Sequence, residues 1–77
     1  MDIETLEKIG LSPNEANVYL ALLELGPSLA GKITEKSKVN RRTVYDVLES
    51  LIDKGLVSYI IEANRKVFEA TDPNRLL

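Results

Sequence analysis

Cysteine, histidine and tryptophan are all absent from this 77-residue chain, and phenylalanine occurs once. Without cysteine there is neither a disulfide framework nor a thiolate site, which fits a reducing cytoplasm. Without histidine the commonest metal ligand and proton shuttle is missing too. No apolar run approaches the roughly 18 residues of a membrane-spanning helix, and Met1-Asp2-Ile3-Glu4 has neither the basic start nor the apolar stretch of a signal peptide. One Phe and three Tyr leave few large anchors for a core. A chain this short makes one domain near the lower limit for an independent core, so an added helix or a dimer partner would help it. The expectation is a single cytoplasmic domain over residues 1–77, soluble, away from membranes and without a cofactor.

The net charge of −2 argues weakly against a nucleic-acid partner, but its distribution argues the other way. Residues 1–30 carry −4 and residues 46–64 carry −3, whereas residues 31–45 carry +4 through Lys32, Lys36, Lys38, Arg41 and Arg42 against Glu35. The tail from Arg65 onward is +1, with Arg65 and Lys66 at its start. Positive charge is therefore focused on two short segments.

Asp2 to Ile9 suggests a short helix with Ile3, Leu6 and Ile9 on one side and Gly10 as its stop. Ser12-Pro13-Asn14-Glu15 is a strong helix start: Ser12 caps, Pro13 takes the first position, and Glu15 completes a capping box. That helix runs to about Leu25 and presents Ala16, Tyr19, Leu20, Leu22 and Leu23. Ser28 is positioned to cap a helix over roughly Leu29 to Glu35, with Ala30 and Ile33 facing the core and Gly31 weakening it by about 1 kcal/mol. Ser37-Lys38-Val39 makes a turn with Val39 as a buried plug, and Asn40 caps a helix from Arg41 to Lys54 that Gly55 ends. In it Val44, Val47, Leu48, Leu51 and Ile52 form one stripe, opposite Arg42, Asp46, Glu49 and Asp53. Its outer face is cationic in the first turn and acidic beyond.

Two extended runs follow, Leu56 to Glu62 and Lys66 to Ala70, joined by Ala63-Asn64-Arg65 into a hairpin. Thr71-Asp72-Pro73 reads as the cap and first turn of a further helix, which suggests a longer parent protein or an engineered boundary. The fold class is mainly α with a small β-hairpin (α+β). Four helices, two strands and a helix start fit a winged helix-turn-helix.

Gly10-Leu11-Ser12-x-x-Glu15-Ala16-x-x-Tyr19-x-Ala21-Leu22-Leu23-x-x-Gly26-Pro27, followed by Val44-Tyr45-Asp46-Val47-Leu48-Glu49-Ser50-Leu51 and Lys54-Gly55-Leu56-Val57, resembles the TrmB-like archaeal and bacterial transcription regulators. The resemblance covers residues 6–77. It implies a DNA-binding winged helix that acts on promoter DNA as a dimer. Many members add a coiled coil and a sugar-binding domain, neither of which is matched here. The chain departs from the pattern at Leu29, where a hydroxyl cap is usual, and at Asn40, where proline is common; Ser28 and Asn40 are the substitute caps.

On this reading Arg42, exposed on the first turn of the recognition helix, contacts a base edge, and Arg41 contacts phosphate. Asn40, Thr43 and Tyr45 belong to the same surface, Tyr45 as a half-buried packing residue. Lys32, Lys36 and Lys38 read as phosphate neutralisers, and Arg65 and Lys66 as wing contacts. Asp46, Glu49 and Asp53 share a face, but three carboxylates with no histidine or general-acid partner describe a solvated surface better than a catalytic or metal site. The chain is expected not to be an enzyme. The alternative is a winged helix that binds protein instead of nucleic acid, which the acidic total and the acidic later half of the recognition helix favour.

Overall fold

The structure, a computed structural model, describes residues 2–71. The helix opening expected beyond Thr71 lies outside them. Helix α1 (Ile3–Lys8) starts where Asp2 Oδ1 accepts from the Thr5 amide at 2.8 Å, a bond that holds the Asp2 carboxyl below its usual range. Only Leu6 of its expected stripe is buried, while Ile3 is exposed and Ile9 is 65% exposed. Among the described residues this six-residue helix packs mainly against α2, and the turn that meets α2 covers Leu6.

Helix α2 (Pro13–Leu25) begins with the expected capping box: Ser12 Oγ accepts from the Glu15 amide and Glu15 Oε1 accepts from the Ser12 amide. It is the central element, packed against α1, both following helices and the second strand. Its buried face is accordingly wider than the sequence stripe, adding Val18 and Ala21 to Ala16, Tyr19 and Leu22, while Leu23 points outward. Tyr19 also donates its hydroxyl to the Thr71 carbonyl at 2.7 Å, tying the end of the hairpin to α2.

Helix α3 (Ala30–Ser37) corrects one expectation. Ser28 does not cap it; the cap position is Leu29, with no side-chain hydrogen bond. Ser28 instead exchanges both backbone hydrogen bonds with Phe68, at 2.9 and 2.8 Å, and donates its hydroxyl to the Gly26 carbonyl. The extended backbone of Ser28 is held in the sheet, so its side chain is not available to the helix that starts two residues later. Lys38 then adopts a left-handed conformation (φ 62°) in the turn, and Val39 is half-buried against the core.

Helix α4 (Arg41–Asp53) is capped as expected, Asn40 Oδ1 accepting from the Thr43 amide at 2.9 Å. Val44, Val47, Leu48 and Leu51 are buried and Ile52 packs against them. At its end Gly55 takes φ 77°, its amide reaching the Ile52 carbonyl and the Leu56 amide the Leu51 carbonyl. That paired arrangement needs a left-handed residue, and it delivers the chain directly into a strand.

Strands β1 (Val57–Glu62) and β2 (Arg65–Ala70) are antiparallel, with Tyr59 opposite Phe68 and Glu62 opposite Arg65. The turn is therefore Ala63-Asn64 alone, both at positive φ (52° and 64°), and Arg65 belongs to the strand and not to the turn. Two left-handed residues match the twist of the flanking strands, which is why the shorter turn prevails. Alanine carries a steric cost there that glycine lacks. Ala63→Gly is expected to stabilise the domain by about 0.5–1 kcal/mol in urea denaturation, with the m-value unchanged.

Candidate nucleic-acid interface

The first turns of α3 and α4 and the tip of the hairpin enclose a groove of about 530 Å³. From α3 and its cap position come Leu29, Ala30, Gly31, Lys32 and Glu35; from α4, Arg41 and Tyr45; from β2, Arg65, Lys66 and Phe68. Four cations thus meet one carboxylate. Five of the nine residues expected to touch DNA (Lys32, Arg41, Tyr45, Arg65 and Lys66) line this one concavity, although they are drawn from three elements.

Lys38, Asn40, Arg42 and Thr43 do not line it. Arg42 lies on the outer face of α4, exposed, ahead of the exposed carboxylates of Asp46, Glu49 and Asp53. Thr43 is half-buried, and Asn40 uses its side-chain oxygen on the cap. Tyr45 corrects the expectation of a half-buried packing residue: it is 51% exposed. It stands one turn after Arg41, on the side of α4 that faces the hairpin and away from the Val44–Leu51 stripe.

Charge in the first turns sorts the helices into two kinds. α1 and α2 carry Glu4 and Glu15 there, as the partial positive charge of a helix N-terminus favours. α3 and α4 carry no acid in the first turn and instead place Lys32, Arg41 and Arg42 there. Cations at that end are disfavoured by about 0.3–1 kcal/mol each. Among the described residues Arg41, Arg42, Lys38 and Arg65 make no ion pair. Lys32 reaches Glu35 only at 3.9 Å, with both side chains about three-quarters exposed, a contact that water and salt screen. Lys66 is better held, with its Nζ 4.7 Å from the centre of the Tyr59 ring. Of these cations Lys32, Arg41, Arg65 and Lys66 converge on the open groove.

The C-terminal end of α4 is bound to Glu15, a residue whose capping role alone is legible in the sequence. Glu15 is 7% exposed. Besides accepting from the Ser12 amide, its carboxylate accepts from Lys54 Nζ at 2.8 and 2.9 Å and from Ser50 Oγ at 2.6 Å, Ser50 on the last turn of α4 and Lys54 directly after it. Burial alone would raise its pKa; the Lys54, Ser12 and Ser50 hydrogen bonds outweigh it and hold the group at about 2. Partners 35 and 39 residues away leave no local trace in the sequence. Gly31 and Phe68 were likewise not anticipated as parts of the site.

This arrangement defines a winged helix-turn-helix module of the kind that transcription regulators carry, with α4 as its exposed helix and the hairpin as its wing. A family model described as sugar-specific transcriptional regulator TrmB matches residues 6–74, and the chain belongs to that family. The HTH-type sugar sensing transcriptional regulator TrmBL1 of Pyrococcus furiosus is 37% identical over 75 residues, which is 97% of this chain and 22% of that protein. Among solved structures, TrmBL2, an archaeal chromatin protein described as showing a novel mode of DNA binding, gives a TM-score of 0.84 at 28% identity, over 96% of this chain and 28% of its own. The Bordetella bronchiseptica protein BpsR, whose DNA binding is regulated by 6-hydroxynicotinic acid, gives 0.81 at 19% identity over 95% of this chain and 54% of its own, a likeness of fold alone. The resemblance read from Gly10 to Pro27 and from Val44 to Val57 is thereby borne out. No helix among the described residues is long and apolar enough to cross a membrane.

Proposed function

We propose that this domain binds double-stranded promoter DNA sequence-specifically and regulates transcription, as a cytoplasmic homodimer. The first turn of α4 enters the major groove, with the wing against the adjoining backbone or minor groove. The observation that carries this reading is the pair of helix starts, α3 and α4, that bear cations where their own dipoles favour anions, both opening on the groove that Arg65 and Lys66 close. An external row of phosphates supplies the missing negative charge. The acidic later turns of α4 steer the rest of that helix away from the duplex.

Arg42 is assigned to base readout, since it projects from the outer face of the first turn beyond the groove. Lys38 is assigned to phosphate. Fluorescence anisotropy on labelled fragments of the gene's own upstream region and on a scrambled control, over several salt concentrations, tests both. Arg42→Ala is expected to lose about 1–3 kcal/mol of discrimination between the two fragments. Lys38→Ala is expected to weaken both alike and reduce the slope of log K against log salt by about 0.9. Equal losses on both fragments for Arg42→Ala would remove its base-reading role. An absence of binding at low salt by folded, dimeric protein would favour a protein partner instead.

A further inference from the structure

Gly31 occupies the second position of α3, in the groove, and its φ is not positive, so its backbone does not call for glycine. A helix position open to any residue normally favours alanine over glycine. The reason for glycine lies in space: a Cβ on residue 31 would sit 3.1 Å from Nη2 of Arg41. The end of the Arg41 side chain therefore borders the space that a side chain on residue 31 would take. The start of α4 thus meets α3 at the groove that Lys32, Arg65 and Lys66 also line.

We propose that Gly31 is a positioning residue for Arg41: by having no side chain it lets the end of the guanidinium come close against α3, where it meets one phosphate of the bound duplex. This rests on the DNA-binding reading above. A methyl group at position 31 pushes the end of the guanidinium away by a few tenths of an ångström, off the place it takes beside Lys32 and Arg65 in the groove. The atom displaced is the far end of a flexible side chain, so the fold itself gives way at little cost.

Stability and binding are therefore expected to move in opposite directions. Gly31→Ala should raise Tm by about 2–5 °C through helix propensity. Its affinity for specific DNA should fall roughly tenfold, with the salt slope reduced by about 0.9, the signature of one lost phosphate contact. Arg41→Ala should show the same loss of affinity and slope. In an Arg41→Ala background, Gly31→Ala should change binding no further, because the group it displaces is gone.

Thermal melts and anisotropy on the four proteins of this cycle complete the test. Wild-type affinity in Gly31→Ala, or an equal further loss in the Arg41→Ala background, would overturn the positioning role while leaving DNA binding intact. A lowered Tm for Gly31→Ala would place the collision in the fold and overturn it as well. A wild-type protein that binds neither specific nor random duplex would overturn the DNA reading, and this inference with it.

Discussion

Replacing Glu15 with glutamine is expected to destabilise the domain by roughly 1.5–3 kcal/mol at neutral pH, the range for hydrogen bonds to a charged group. Glutamine keeps the shape and still accepts from the Ser12 amide, so the capping box survives. What it loses is the charge that Lys54 Nζ approaches at 2.8 and 2.9 Å, along with the strong acceptor for Ser50 Oγ. Urea denaturation at pH 7 measures the loss, and Ser12→Ala separates the cap from the clasp.

The pH dependence gives the same bond a second signature. Because the folded pKa of Glu15 lies near 2, below its ordinary 4.5, the carboxylate stabilises the folded state above the unfolded value. That contribution, at most about 3 kcal/mol, is lost as pH falls from about 5 towards 2. Glu15→Gln has nothing to protonate at this position. Its stability should therefore fall less over the same interval, and the two proteins should converge near pH 2. Parallel curves between pH 5 and 2 would show that the clasp contributes little. The consequence for function is geometric: Glu15 ties the far end of α4 to α2, beside the packing of the buried stripe that seats the helix carrying Arg41 and Arg42.

Elements encoded within a few residues were legible in the sequence. Ser12-Pro13-x-Glu15 and Asn40 specify helix starts through bonds spanning three residues, and Gly55 specifies a stop in the same local way. The stripe of α4 was legible because one face of it is buried. Misread features depend on partners distant in sequence. Ser28 has the chemistry of a cap, and only the arrival of Phe68 forty residues later commits its backbone to the sheet. Ile9 continues an apolar pattern past the end of a six-residue helix, where none of the described residues covers it. The basic segments identified Lys32, Arg41, Arg65 and Lys66 as candidates from composition alone. Their convergence on one groove, separate from Arg42, follows from how α3, α4 and the hairpin pack. Gly31 gave no positive signal, since a glycine in a helix reads as a weakness until the guanidinium above it is seen.

Phe68→Ala is expected to have the largest effect of any single change, a loss of about 3–5 kcal/mol, as for other buried phenylalanines. A domain of this length holds only about 4–12 kcal/mol in all, so much of the population should unfold on mild heating. Phe68 is the one phenylalanine in the chain, and it is buried in the middle of β2. Its backbone carries both hydrogen bonds to Ser28, its ring lies 5.9 Å from that of Tyr59, and its side chain forms part of the groove wall. Loss of the ring loosens the hairpin from the segment that leads into α3, and Arg65 and Lys66 then lose their fixed distance from Arg41. Phe68→Leu separates these contributions: it restores most of the apolar volume, should cost less than about 1.5 kcal/mol, and should keep the hairpin seated. If the wing's placement is what matters for binding, Phe68→Leu should bind DNA nearly as wild type does. Phe68→Ala, held folded at low temperature, should bind with a shallower salt slope because the two wing cations no longer reach the backbone. Identical slopes for the two variants would show that Arg65 and Lys66 act without a fixed wing, and that the contacts reside in α3 and α4 alone.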